Sequence, residues 1–203
     1  MASTRDRILT ATNELFRRHG FNGTSIKQIT LAAQVPMGSL YHFFPEGKDQ
    51  LAREAIETSG PAYEQLFEII ADESANTSEA ITNFFEGAAE VLEATGFIDI
   101  CPIGTVAREV ASTNDSLRVS TATVFASWIN ALAARLEAAG VPGPEANGLA
   151  TTVVAALEGG FMLARAARDT APLLAIGTAI RLLVDTTLAL SARATVDNVP
   201  GSA

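Results

Sequence analysis

Cysteine and histidine are nearly absent from the sequence. Its 203 residues include one cysteine, Cys101, and two histidines, His19 and His42. One cysteine excludes an internal disulfide, and together with two histidines it provides no ligand set for a structural zinc ion. We therefore expect no metal and no other cofactor. The fold must be stabilised by packing, for which a hydrophobic fraction of 48% is ample.

The sequence also shows no sign of export or of catalysis. No basic segment is followed by an apolar run and a small-residue cleavage site, so no signal peptide is predicted and a cytoplasmic location is expected. No glycine-rich phosphate loop occurs. A nucleophile and base pair would need a histidine, but His19 lies on the first predicted helix and His42 in a short aromatic segment. An enzyme is therefore the least favoured class, and no catalytic residue is assigned.

Charge is unevenly distributed along the chain. The net charge is −9, which argues against a nucleic-acid partner for the chain as a whole. Residues 1–53, however, hold seven basic against four acidic residues, a balance of +3, while the remainder has a balance of −12. Such asymmetry is expected when a small basic module contacts a polyanion and an acidic body stays away from it. A chance fluctuation over fifty residues is the alternative.

Apolar residues recur at helical spacing along nearly the whole chain, which predicts an all-α fold of about nine helices. The first predicted helix spans residues 5–19, and Ser3 with Asp6 can form a capping box at its start. Ser25 and Gln28 form a second box before a helix of about two turns. The two capped helices predict that the chain begins with a compact helical domain.

The segment "QVPMGSLYHFFPEGK", residues 34–48, combines aromatic, small and polar residues. A third short helix is predicted from Met37 to Phe43, opened by Pro36 and stopped by Pro45. Three short helices with tight turns are typical of a helix-turn-helix module, whose recognition helix enters the major groove. Leu40, Phe43 and Phe44 are expected to anchor this helix. The predicted DNA-contacting residues are Ser25, Lys27, Pro36, Met37, Gly38, Ser39, Tyr41, His42 and Lys48.

Residues 8–53 resemble the DNA-binding domain of the TetR family of transcriptional regulators. The residues that carry the resemblance are Phe16, Gly20, Phe21, Thr24, Ser25, Ile26, Ile29, Ala32, Ala33, Val35, Gly38, Ser39, Leu40, Tyr41, Phe43, Lys48 and Leu51. It implies a DNA-binding domain over residues 1–47, followed over residues 48–193 by a helical domain for ligand binding and dimerisation. Residues 194–203 are expected to form a flexible tail.

Three positions depart from the common family pattern. Gln34 stands where glycine is usual, which predicts a non-glycine residue at positive φ. Pro36 replaces a serine-like helix cap, and the stretch "PEG" before Lys48 is one residue longer than usual. The longer form, together with "CPIGTVAREVA" and "LEGGFMLARAARDTAPL", resembles the LmrA/YxaF-like subgroup of the family.

Two long helices, predicted at about residues 144–169 and 171–192, are apolar nearly all round. The second approaches membrane-span length, but Arg181 and Asp185 have the i, i+4 spacing of a surface ion pair, so no membrane association is expected. The two helices are predicted to form an isologous homodimer through a four-helix bundle. The alternative is that both are central core. The fourth helix starts at Lys48, and Gly60-Pro61 predicts a kink or a break over residues 58–61.

These features together predict a repressor that a small hydrophobic effector releases from a palindromic operator in double-stranded DNA. The predicted pocket residues are Phe85, Val106, Phe125, Trp128 and Met162, although each is more often ordinary core. The alternative function is a ligand-binding helical dimer without DNA binding. Salt-dependent DNA binding would distinguish the two.

Overall fold

A computed structural model describes residues 2–98 and 101–197 of the chain. Within those ranges every regular element is an α-helix, which confirms the all-α prediction. The helices are α1 (Thr4–His19), α2 (Ile26–Ala32), α3 (Met37–Phe43), α4 (Lys48–Glu73), α5 (Thr77–Ala94), α6 (Pro102–Val110), α7 (Asp115–Ala138), α8 (Gly143–Ala167) and α9 (Ala171–Asp197). Of the predicted tail, residues 194–197 belong to the backbone of α9, and residues 198–203 lie outside the described residues.

The chain divides into two compact units. The first comprises Met1–Tyr63 and Ile98–Ala126, and the second comprises Glu64–Phe97 and Ser127–Ala203. Helices α4 and α7 therefore contribute a segment to each unit. The first unit contains α1, α2 and α3 together with α6.

One hydrophobic cluster in the first unit holds α1, α2 and α3 against the start of α4. Fully burying an aliphatic or aromatic side chain contributes about 1.5–3 kcal/mol, so this cluster is the main source of stability for α2 and α3, which have only seven residues each. Its buried members are Ile8, Leu9, Ala11, Ile29, Ala33, Leu40, Phe44, Leu51 and Ala55, and Leu15, Ile26, Val35 and Phe43 pack against it.

Helix α4 continues through Pro61, so of the predicted kink or break over residues 58–61 the break is wrong. Proline removes one backbone hydrogen bond, at a cost of about 3 kcal/mol. The close packing of α4 against α7 beside Pro61 opposes this cost. Gly60 is so close to α7 that a Cβ at this position would lie 2.7 Å from the side chain of Val124. The hydroxyls of Thr58 and Ser59 also donate to the carbonyls four residues earlier.

In the second unit, glycines allow close packing of α9 against α5 and α8. A Cβ on Gly177 of α9 would lie 2.8 Å from Cβ of Phe85, and one on Gly160 of α8 would lie 2.4 Å from Leu173. An ion cluster stabilises the same unit. Arg135 of α7 donates to Asp72 at 2.7 Å and also bonds Glu68, and these carboxylates raise the pKa of its guanidinium.

The alternative that α8 and α9 are central core does not hold within the single chain. Both helices carry large apolar side chains that are 40% or more exposed, namely Met162, Leu163, Leu174, Leu182, Leu183 and Leu190. Arg181 and Asp185 are also exposed and lie 3.8 Å apart, the predicted i, i+4 pair. By length and composition alone, α8 and the segment Ala171–Arg193 could cross a membrane, with mean hydropathies of 1.3 and 1.7. Two such helices are only weak evidence for a membrane span, because core helices of soluble proteins can have the same length and composition.

Candidate nucleic-acid interface

Helix α1 is the base on which the candidate interface is built. Its start is fixed by a capping box, in which the Asp6 backbone N–H donates to Oγ of Ser3 and the Ser3 N–H donates to the Asp6 carboxylate, both at 3.1 Å. These bonds lower the pKa of Asp6. Gly20 ends α1 at φ 71°, a value in the region that favours glycine. Ile8 and Phe16 of α1 are fully buried.

Helix α2 begins with the second predicted capping box. The Gln28 N–H donates to Oγ of Ser25 at 3.3 Å, and the Ser25 N–H donates to the side-chain oxygen of Gln28 at 2.7 Å. The hydroxyl of Ser25 is therefore engaged in capping. Lys27, in the first turn of α2, is exposed. Both predicted DNA contacts at the start of α2 are therefore exposed, and the hydroxyl of Ser25 is already used by the cap.

The turn between α2 and α3 has the predicted positive φ at Gln34, which is 54°. The Gln34 N–H donates to the carbonyl of Leu31, and the Val35 N–H donates to the carbonyl of Thr30 at 3.0 Å. This is the Schellman pattern of helix termination, in which glycine usually occupies the position of Gln34.

Helix α3 spans Met37–Phe43, as predicted. Pro36 is its N-cap and makes no side-chain bond, but its carbonyl accepts from the Ser39 N–H at 3.0 Å. On the inner face, Leu40 is fully buried, and so is Phe44 just beyond the helix. These two side chains fix α3 to the cluster of the first unit.

The outer face of α3 presents most of the predicted DNA contacts to solvent. Met37 is 48% exposed, Tyr41 is 46% exposed, and Pro36, Gly38 and His42 are also exposed. A Cβ on Gly38 would meet nothing within 4 Å, so the bare backbone there is open. Ser39 is half-buried. This face combines hydroxyl, imidazole, thioether and backbone groups, which can bond phosphates and contact base edges.

Lys48 lies at the start of α4 in a different environment. Its Nζ is 4.1 Å from the centroid of the Phe21 ring, a cation–π contact. Burial lowers the pKa of Lys48, while the charges of Glu109 and Asp49 oppose this shift. The longer "PEG" stretch before it turns at Gly47, whose φ is 72°. The predicted phosphate contact of Lys48 therefore competes with an intramolecular partner.

Helix α6 contacts the turn between α1 and α2 through Glu109. The Asn22 backbone N–H donates to Oε2 of Glu109 at 2.6 Å. The other carboxylate oxygen lies 1.8 Å from where a Cβ on Gly20 would be, so only glycine leaves room for it. Glu109 thus bonds the loop that follows α1 and also lies near the charge of Lys48.

The predicted pocket residues are divided between the two units. Val106 and Phe125 belong to the first, and Phe85, Trp128 and Met162 belong to the second. Phe85 and Val106 are fully buried, Phe125 and Trp128 are half-buried, and Met162 is 51% exposed. They do not form a set within one unit, and Met162 lies among the exposed apolar side chains of α8 and α9.

Two residues that support the interface were missed by sequence reasoning. Arg7 bonds the turn after α2, and Glu109 bonds the loop before it. Arg7 gave one usable signal, since a cation in the first turn of a helix opposes the helix dipole and so indicates a partner elsewhere. Glu109 gave none, because its partner is a backbone group 87 residues away.

Helices α1, α2 and α3, residues 4–43, form a helix-turn-helix head, and the chain belongs to the TetR family of DNA-binding transcriptional regulators. The model of bacterial regulatory proteins of the tetR family matches residues 8–55. The model of the LmrA/YxaF-like transcriptional regulator C-terminal domain matches residues 77–179. Both confirm the predicted resemblance. Members of this family bind DNA and small-molecule effectors, and their structures show dimers.

Individual relatives agree with this assignment. The chain is 38% identical to the HTH-type transcriptional regulator YxaF of Bacillus subtilis, covering 89% of this chain and 95% of YxaF. It is 32% identical to LmrA of the same organism, covering 87% and 94%. It is 25% identical to the transcriptional repressor DhaR of Mycobacterium sp., covering 62% and 61%. A TetR regulator structure from Legionella pneumophila superposes with a TM-score of 0.78 at 25% identity, covering 92% and 98%.

Proposed function

We propose that this regulator represses transcription by binding a palindromic operator as a homodimer, and that a small hydrophobic effector releases it. The observation that carries the proposal is the exposed outer face of α3, held by the fully buried Leu40 and Phe44. The proposed DNA contacts are those predicted from the sequence, of which Lys27, Met37, Tyr41 and His42 carry exposed side chains. The name of DhaR as a repressor supports repression.

The proposed dimer forms through α8 and α9. Their exposed apolar side chains would be covered by the same surface of a second copy, as an isologous interface requires. Membrane insertion is the less favourable way to cover them, because Arg181 and Asp185 lie in the middle of α9. An ionised side chain at the centre of a bilayer costs about 2.5–3.5 kcal/mol or more. We therefore propose a cytoplasmic location.

Release follows from differential affinity. In one conformer of the dimer, the spacing of the two heads does not match the operator. An effector that binds this conformer more tightly raises its population and so weakens operator binding. We propose residues 1–47 as the reading domain and residues 48–193 as the effector and dimerisation domain. Phe85, Val106, Phe125, Trp128 and Met162 are the candidate effector contacts. No catalytic role is proposed, since the relatives are named as regulators.

The alternative function is a ligand-binding dimer that does not bind DNA, and a salt titration separates the two. For the wild type, the logarithm of the DNA association constant should fall linearly with the logarithm of salt concentration. The Lys27→Ala variant should reduce that slope by about 0.9, the value for one lost phosphate contact. Fluorescence anisotropy with operator and non-operator duplexes measures both.

Arg118→Ala is the matched control, because Arg118 is an exposed, ion-paired residue of α7 outside the head. It should leave the slope unchanged. If the wild type showed no salt-dependent DNA binding, the alternative function would replace the proposal. If Lys27→Ala left the slope unchanged, Lys27 would be removed from the interface.

Effector binding can be followed through Trp128, the only tryptophan of the chain. A hydrophobic small molecule that changes Trp128 emission on titration is expected to weaken operator binding about 5–150-fold, the usual range of allosteric coupling. The measurement is operator affinity at saturating effector, with a non-quenching analogue as control. A ligand that binds in the body and leaves operator affinity unchanged would contradict the proposed route of release.

A further inference from the structure

Arg7 is a residue of α1 whose side chain bonds the turn between α2 and α3. Its Nε donates to the carbonyl oxygen of Ala33 at 3.1 Å, and its Nη2 donates to the same oxygen and to the carbonyl of Gln34 at 2.7 Å. Ala33 is the C-cap of α2. These carbonyls follow the C-terminus of α2, where a positive charge is favoured by the helix dipole.

The same charge is unfavourable for α1. Arg7 lies in the first turn of that helix, where the dipole favours acidic residues such as Asp6. The backbone N–H of Arg7 belongs to the first turn of α1 and donates to the carbonyl of Ser3, but the charge of the side chain does not stabilise that end of the helix. The hydrogen bonds of the guanidinium to Ala33 and Gln34 act instead on the turn that leads into α3.

That turn needs support because Gln34 adopts φ 54° without being glycine. For a residue with a Cβ, the left-handed conformation costs about 1–2 kcal/mol. The conformation is nevertheless required, since it aligns the N–H groups of Gln34 and Val35 with the carbonyls of Leu31 and Thr30. A glycine would adopt it at no cost. Charge-assisted bonds from Arg7 offset the cost instead.

We propose that Arg7 is a positioning residue for operator recognition. It holds Gln34 in the left-handed conformation, and this conformation fixes the direction in which α3 leaves the turn. The inference rests on the proposed function, in which the outer face of α3 reads the operator. It implies that Arg7 is needed because residue 34 is not glycine. A glycine at that position would adopt the left-handed conformation without support, so Arg7 would no longer be needed for operator binding.

Four proteins test the coupling: the wild type, Arg7→Ala, Gln34→Gly and the double variant. Arg7→Ala should weaken operator binding about tenfold, the worth of one charge-assisted hydrogen bond, and should leave non-operator binding within about twofold. Its salt slope should be unchanged, because Nε and Nη2 bond carbonyls of the protein. Gln34→Gly should match the wild type, and the double variant should recover most of the lost affinity.

Arg7→Lys keeps the charge but loses the planar fork, so it separates positioning from simple attraction to DNA. It should resemble Arg7→Ala. Wild-type behaviour of Arg7→Lys together with a slope reduced by about 0.9 in Arg7→Ala would show a phosphate contact and overturn the proposal. Failure of Gln34→Gly to restore Arg7→Ala would also overturn it.

Hydrogen exchange of the Gln34 and Val35 amides gives a readout that needs no DNA. Their protection should fall in Arg7→Ala and return in the double variant, while protection of the buried Ile8 amide in α1 stays the same. Unchanged protection of the two turn amides in Arg7→Ala would overturn the inference. Absence of DNA binding by the wild type would instead overturn the proposed function, so the two failures are distinguishable.

Discussion

The Leu182→Glu variant is expected to be monomeric and to bind the operator at least about a hundredfold more weakly than the wild type, because joining two heads raises affinity by this factor or more. Leu182 is 69% exposed in the single chain and lies on α9 within the proposed interface. A carboxylate buried there without a partner would cost several kcal/mol in each protomer. The monomer itself should fold normally, since this side chain is not part of its core.

Sedimentation equilibrium and operator titration measure the two effects. Val91→Glu is the matched control, because Val91 is 57% exposed on α5 and receives the same change outside the proposed interface. It should remain dimeric and bind the operator normally. A Leu182→Glu protein that stays dimeric would refute the proposed α8 and α9 interface, and a monomer that binds the operator at wild-type affinity would refute the role of the dimer.

The Gly20→Ala variant is expected to lower the free energy of unfolding by about 3 kcal/mol. Two causes contribute. Gly20 has φ 71° and ψ −179°, a region that is essentially restricted to glycine and costs other residues about 1–3 kcal/mol. In addition, the new methyl group would lie 1.8 Å from Oε1 of Glu109. Glu109 can move away only by weakening its bond to the Asn22 N–H, and a bond to a charged group is worth about 1.5–3 kcal/mol.

Urea denaturation measures this loss of unfolding free energy. A control variant and a double variant separate the backbone strain from the collision with Glu109. Gly87→Ala is the control, because a Cβ on this helical glycine of α5 meets nothing within 4 Å. It should be neutral or stabilising by up to about 1 kcal/mol. Adding Glu109→Ala to Gly20→Ala removes the collision but keeps the backbone strain. A Gly20→Ala protein as stable as the wild type would show that the loop rearranges freely, contrary to the structure.

The parts of the fold that the sequence predicts well depend on neighbouring residues. Ser3 and Asp6, like Ser25 and Gln28, are three residues apart, so their bonds can be inferred from spacing alone. The positive φ of Gln34 follows from the resemblance, because glycine is usual at this position in the family pattern. The inner and outer faces of α3 follow from helical periodicity, which places Leu40 and Tyr41 on different sides.

The parts that it does not predict depend on distant partners. Pro61 is a local signal for a break, but α4 continues through it, and the neighbouring Gly60 packs closely against Val124, which is distant in sequence. The environment of Lys48 depends on Phe21 and Glu109, which no local pattern connects. The candidate pocket residues are the extreme case, because an apolar residue in a pocket and one in a core have the same sequence signature.

The shortness of α3 has a consequence for how the head folds. A helix of seven residues without a side-chain N-cap is unstable by itself in water, since isolated helices need about 12–15 residues to be even marginally populated. Docking of Leu40 and Phe44 must therefore accompany helix formation. The proposed DNA-contacting face of α3 therefore forms together with this docking, and a partial opening that undocks Leu40 and Phe44 would remove that face.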